Sequence, residues 1–222
     1  MQVKERPILF SAPMVRAILE GRKTVTRRPC KPQPSPHAHT KSADGNAMGS
    51  WWETAKQIQR CPYGQPGDRL WVRESFWQAG DWISTYPEDD EGHWSGSRRV
   101  HYRVDGEPPN EPNHHYPNGL RNGSFSAADP HKIWRARPSI HMPRWASRIL
   151  LEITEVRVER LQDISEEQAE AEGVDFLRSI PDCDETLTAR QLFECLWDSI
   201  NGASAWDANP WVWAVSFRRV EA

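Results

Sequence analysis

Apolar positions in this chain change rhythm several times, and each change marks an element. Ile8-Leu9-Phe10 is a short unbroken apolar run and reads as a strand. Met14, Val15, Ile18 and Leu19 then recur at helical spacing, with Arg16 and Glu20 off that face. Ser11 suits the N-cap, Pro13 falls in the first turn, and Gly21 follows the last periodic residue, where a C-terminal glycine belongs. Beyond Gly21 the β-branched Thr24-Val25-Thr26 predicts extended chain. Alternation would turn Lys23, Val25 and Arg27 one way and Thr24, Thr26 and Arg28 the other, although a bend at the glycine could still bring Lys23 near Thr26.

Further along, Gly67-Asp68 opens a strand, Arg69 to Glu74. The clearest strand lies between Arg148 and Leu161, with Ile149, Leu151 and Ile153 on one face and Val156 and Val158 in the opposite phase. That phase shift predicts a β-bulge at Thr154-Glu155. Ser165 and Gln168 form a capping-box pair for a helix that Gly173 ends. A second helix is predicted from Thr188 to Ile200, with Leu192, Cys195, Leu196 and Ile200 as its apolar stripe and Asn201-Gly202 as its stop. Trp211 to Phe217 closes the chain as a strand, with Trp213, Val215 and Phe217 on one face. Residues 29–66 and 77–130 show no sustained period and are rich in Pro and Gly, so both read as irregular insertions. Val100 to Val104 is the strand-like piece inside the second. Strands around a few helices predict a single α+β domain over residues 1–222, with a mixed, barrel-like sheet and helices outside it.

Composition changes this picture in four respects. With 222 residues the chain can bury a real core, yet only 37% of it is hydrophobic, so the 12 Trp must carry much of the buried area. No apolar run is long enough to span a membrane, and the first residues lack a signal-peptide core, so the cytoplasm is the expected location. Cys30, Cys61, Cys183 and Cys195 are widely spaced, which suits reduced thiols better than disulfides or zinc. The net charge of -3 argues against a protein that coats nucleic acid indiscriminately, but leaves room for a local basic cleft.

Such a cleft is suggested by one segment. Arg22, Lys23, Arg27, Arg28 and Lys31 follow one another without an acid, and Thr24 and Thr26 lie among them. Cations beside hydroxyls can hold a phosphate, or can activate a hydroxyl nucleophile beside an amine. The same residues also suit a solvated surface and a β-branched strand. Arg73 and Glu74 end a strand expected beside this segment, where they would contact substrate or form a salt bridge at the sheet edge. Trp51, Trp52 and Trp77 lie in the insertions and could stack on bases, whereas Trp71, Trp197, Trp211 and Trp213 sit in apolar periods and suit the core. The histidines, including His93 and His114-His115, make no metal-ligand spacing.

Gly21-Arg22-Lys23-Thr24-x-Thr26-x-Arg28 after a helix, Gly67-Asp68-Arg69-Leu70, the long strand leading to the acidic helix at 148–172 and the aromatic strand at 209–217 together resemble the ASCH domain family. The resemblance covers about half of the chain and implies a PUA-like β-barrel and an RNA or modified-nucleoside ligand. The sequence looks especially like the larger phage and prophage members, which share Gly-Asp-Arg-Leu-Trp-Val-Arg-Glu. Some small bacterial members are amidohydrolases that deacylate the exocyclic amine of cytidine. By that resemblance Lys23 would be the base, Thr26 the nucleophile and Glu172 the acid that protonates the leaving amine. Arg22, Thr24, Arg28, Arg73 and Glu74 would contact the substrate. Here Arg27 replaces the apolar residue usual between Thr26 and Arg28, and the chain is much longer than those hydrolases. The implied substrate is an acylated nucleoside such as N4-acetylcytidine, with no cofactor and no metal, in a protein expected to be a monomer. The alternatives are an RNA-binding module without catalysis and a metal-independent ribonuclease.

Overall fold

A computed structural model describes residues 3–34, 50–53, 56–85, 92–111, 133–180 and 186–221. In chain order the regular elements are β1 (Glu5–Leu9), α1 (Ala12–Leu19), β2 (Val25–Pro29), β3 (Ser50–Glu53), β4 (Lys56–Arg60), β5 (Arg69–Arg73), β6 (Phe76–Ser84), β7 (Gly92–Tyr102), β8 (Trp134–Arg137), β9 (Leu150–Arg160), α2 (Glu166–Ala171), α3 (Ala189–Asn201) and β10 (Trp211–Val220). The protein is mixed α+β. No helix among the described residues is long and apolar enough to cross a membrane.

By its internal contacts the chain forms two compact units. The first holds Met1–Ile8, Pro13–Val72 and Arg148–Ala222; the second holds Leu9–Ala12 and Arg73–Ser147. The sequence had suggested one domain with two insertions.

The first unit is built on a five-stranded sheet in the order β1-β5-β9-β10-β2. This order leaves β1 and β2 as edges, so the sheet is not the closed barrel anticipated from the sequence. The central β10 has Val212, Trp213, Ala214 and Val215 all buried, because both of its faces are covered. The anticipated bulge is present. Ser216 pairs with Glu155 and Phe217 with Ile153, which leaves Thr154 as the extra residue on β9.

Both later helices of the first unit start in capping boxes, of which the sequence predicts only that of α2. Ser165 caps α2 with Gln168, and Thr188 caps α3 with Gln191. The stripe of α3 is rotated from the one expected. Leu192, Phe193 and Trp197 are buried against Leu161, Ile164, Trp206 and Val212, while Cys195 and Ile200 are exposed. The two large rings bury more area than Cys195 and Ile200 would, so they set the helix rotation.

The second unit centres on a three-stranded antiparallel sheet, β7-β6-β8. Phe76, Met142 and Ala146 form its small core, with Val100 and Tyr102 packed against them. Much of the region expected to be irregular is therefore strand. Its Gly, Ser, Asp and Trp residues lack a β-branched alternation, and pairing across β6 supplies what local propensity does not. Likewise β3 and β4 pair as a two-stranded ribbon inside the first expected insertion.

Candidate functional site

The basic segment leaves α1 at Gly21 and runs up an edge of the first unit's sheet. Its path is fixed by main-chain bonds on both sides. Thr24 N–H donates to Ala171 O at 2.9 Å, at the end of α2, and Thr24 O accepts from Phe217 N–H at 2.8 Å. β2 then pairs with β10, placing Thr26 opposite Val215, Arg27 opposite Ala214 and Arg28 opposite Trp213.

Two of its cations turn inward rather than to solvent. The Lys23 side chain is only 2% exposed, and its ammonium donates to Glu172 Oε2 at 2.7 Å, Glu172 O at 2.8 Å and Val25 O at 2.8 Å. Those acceptors use all three ammonium protons. The Arg27 side chain is 0% exposed and reaches Glu172 Oε1 at 3.3 Å, Glu159 Oε1 at 2.6 Å and Gln168 Oε1 at 2.8 Å. Glu159 continues to Arg157 Nε at 3.3 Å, and Arg157 closes on Glu155. The result is a chain of alternating charge, Glu155–Arg157–Glu159–Arg27–Glu172–Lys23. Side-chain exposure falls along it from 53% at Glu155 to 0% at Arg27 and stays at 4% or less through Glu172 and Lys23. Alternation is what permits burial, since each charge removed from water has an opposite neighbour. Burial pushes the Lys23 ammonium below the usual lysine range; the Glu172 carboxylate opposes this, and Arg28 and Arg27 add to it.

Local structure positions Glu172. It is the C-cap residue of α2, and Gly173 follows in the left-handed region at φ +74°. A Cβ on Gly173 would lie 2.9 Å from the Cβ atoms of both Ala17 and Lys23. Glycine is thus required there twice, for its backbone angle and for the close approach of α1 and the basic segment.

The register of the sheet decides where the other candidate residues point. Neighbours opposite each other share a face, so Arg27, Ala214 and Arg157 lie on one side of the sheet. Thr26, Val215 and Val156 lie on the other. The structure brings Lys23 and Glu172 together but turns Thr26, which is buried, to the face opposite Arg27. Arg22 is half-buried, closes on Glu20 and lies 3.7 Å from Asp175, away from the buried chain. Arg28 is half-buried on the Thr26 face. Arg73 and Glu74 belong to the second unit, where Arg73 donates to Ile140 O and the Glu74 N–H donates to Met142 Sδ at 3.5 Å.

Beside the buried chain lies a cavity of about 370 Å³, lined by Thr24 and Val25 from the basic segment, Arg157, Gln168, Ser216 and the bulge residue Thr154, among others. The bulge puts Thr154 into this wall where regular pairing would have continued the ladder. Arg157 and Gln168 belong both to the cavity wall and to the charge network. Sequence reasoning missed Arg27, Glu159, Arg157 and Gln168 as a connected group. The one available signal was Arg27, a charge at a position expected to be apolar.

Thiol chemistry is a poor fit here. Burial pushes Cys30 up to about 12 and Cys61 up to about 11, which keeps both protonated at neutral pH. Among the described residues there is no cluster of three or more His, Cys, Asp or Glu residues that could hold a metal. Cys183, His37, His39, His114, His115 and His131 lie outside the described residues, as do the side chains of Trp51 and Trp52.

Comparison with family models, with curated proteins and with solved structures gives no match for this chain.

Proposed function

We propose that the first unit is a nucleoside-binding module of the PUA-like, ASCH kind, acting as a cytoplasmic monomer, with a modified nucleoside held in the cavity beside the buried charge chain. The observation that carries this reading is the cavity itself. Its size lies in the range of small-ligand sites. The hydroxyls of Thr24, Thr154 and Ser216 and the amide of Gln168 offer the donors and acceptors that the polar edge of a base requires. Lys23 and Arg27 support that wall from behind. Being enclosed and paired, they do not grip phosphate in the form the basic segment had suggested.

Hydrolysis of an acylated nucleobase is the second reading, and one observation favours it. A lysine with a lowered pKa lies 2.7 Å from a buried glutamate, an arrangement that can move a proton. It would need a nucleophile other than Thr26 in its present orientation, or a shift of β2.

One titration separates the two. The purified protein is mixed with N4-acetylcytidine, and both heat of binding and release of acetate are measured, beside Thr154→Trp, which fills the cavity, and Glu172→Gln. Binding without acetate, lost in Thr154→Trp, is the expected result. Acetate release lost in Glu172→Gln would favour the hydrolase. Neither binding nor turnover would remove the nucleoside reading.

A further inference from the structure

The arginines best placed to meet a polyanion are in the second unit. On β6 and β7, Trp77 pairs with His101, and on β6 and β8, Ala79 pairs with Trp134. By alternation Trp77, His101 and Trp134 share one face. It is the face opposite Phe76, Val100 and Tyr102, which belong to the core. At one end the guanidinium of Arg103 lies 5.8 Å from the Trp77 ring centre. At the other, the guanidinium of Arg99 lies 5.2 Å from that of Trp134, and His101 meets Trp134 edge-on at 6.3 Å. The row thus runs Arg103–Trp77–His101–Trp134–Arg99, with both arginines exposed, Trp77 and His101 half-buried and Trp134 buried.

Three further observations mark this sheet. Arg98 over Trp145 and Arg135 over Trp94 bring the arginine–tryptophan contacts among this unit's described residues to four pairs, where about one is usual in a stretch of this length. The strands β6, β7 and β8 carry Arg98, Arg99, Arg135 and Arg137 against Asp81, and of these arginines Arg99 alternates onto the Trp77 and His101 face. Among the described residues, the buried nitrogens Trp94 Nε1, His101 Nε2, Trp134 Nε1 and Arg137 Nε have no hydrogen-bond partner.

We infer that this face binds a single-stranded nucleic acid, with Trp77 and His101 stacking on bases and Arg99 and Arg103 contacting phosphates. Charge complementarity selects a polyanion, and the aromatic row selects one with planar faces, which an acidic peptide or an anionic lipid surface lacks. The repeat also fits: same-face positions on a strand recur about every 7 Å, on the order of the phosphate repeat of an extended single strand. Glu111 holds Arg99 in a two-pronged pair, with contacts of 2.7 Å and 3.0 Å, and so competes with phosphate for it. This inference is independent of the cavity in the first unit.

The test uses the full chain and labelled oligo-uridylate and oligo-thymidylate of about twelve nucleotides, a length that one such groove accommodates, followed by anisotropy and by tryptophan fluorescence. Binding that quenches tryptophan and weakens with salt is expected for both. Trp77→Ala should weaken it about tenfold, and Trp77→Phe should restore most of that. Arg103→Gln should lower the salt slope by about one. Glu111→Gln should tighten binding by releasing Arg99, an effect that a merely structural role for this pair does not give. The proposal is overturned if neither oligonucleotide binds at low salt. It is equally overturned if poly-glutamate or phosphatidylserine vesicles bind and the oligonucleotides do not. Unchanged affinity in both Trp77→Ala and Glu111→Gln, with native circular dichroism retained, would also overturn it.

Discussion

The two units use the same cationic side chains to opposite ends. In the first, Lys23 and Arg27 are withdrawn from water and matched one for one with Glu172 and Glu159. In the second, Arg98, Arg99 and Arg103 remain exposed and lie over tryptophan rings. A basic run in sequence therefore does not mark a phosphate site by itself. What matters is whether carboxylates on another element reach it first. Glu172 does so from the end of α2, 149 residues away in the chain. Among the described residues, the second unit's strands hold only Asp81 as an acid, and Glu111 reaches Arg99 at the surface.

Breaking the buried chain gives the largest effect. Glu172→Ala leaves Lys23 and Arg27 enclosed with their shared carboxylate gone, and should cost about 3–5 kcal/mol of stability, read from urea unfolding. A change below about 1 kcal/mol would mean that water reaches the cluster and that the contrast between the units is weaker than the geometry implies.

A smaller effect is expected at Asp68, which stands between the two extremes. It is buried but meets the half-exposed Arg6 at 3.0 Å, and it also accepts from Lys4 N–H at 3.1 Å and Gln65 N–H at 3.2 Å, tying the start of β1 to the turn before β5. Burial alone would raise its carboxyl, but these hydrogen bonds and the Arg6 charge together hold it below the usual aspartate value of 3.8. The unfolded chain therefore takes up a proton before the folded one. The stabilising contribution is complete above 3.8 and is lost as pH falls through the depressed folded value. In acid titration of thermal stability, Asp68→Asn should lose less than wild type across that window. Parallel curves would show that the clamp does not form.

The smallest effect belongs to the surface. Arg22→Ala breaks contacts to Glu20 and Asp175 that are largely exposed, and the melting temperature should stay within error of wild type. A clear drop would place Arg22 with the buried cluster and blur the distinction drawn between inward and outward cations.

Much of the first unit is written locally. Periodicity and capping residues were enough to locate α1, α2 with its Ser165–Gln168 box, the extended basic segment, the bulge at Thr154 and the final aromatic strand, because each depends on neighbours in sequence. The resemblance singled out Lys23 and Glu172, which do meet. The strands of the second unit were mostly illegible, since Gly, Ser, Asp and Trp take strand form there through pairing across β6 rather than through preference of their own. The rotation of α3 was missed for a related reason: its partners Trp206 and Val212 lie on later segments.

The sequence by itself determined the α+β class, the helix ends and which strand residues alternate, all set by steric and hydrogen-bonding rules that act within a few residues. Only the tertiary structure decided that the sheet has open edges, that Arg27 and Lys23 converge on Glu172, and that the exposed arginines lie over tryptophans. Those outcomes depend on cross-strand register and on the burial of charge. Both are set by residues far apart in the chain, where Coulomb attraction and desolvation are balanced only after the elements have packed.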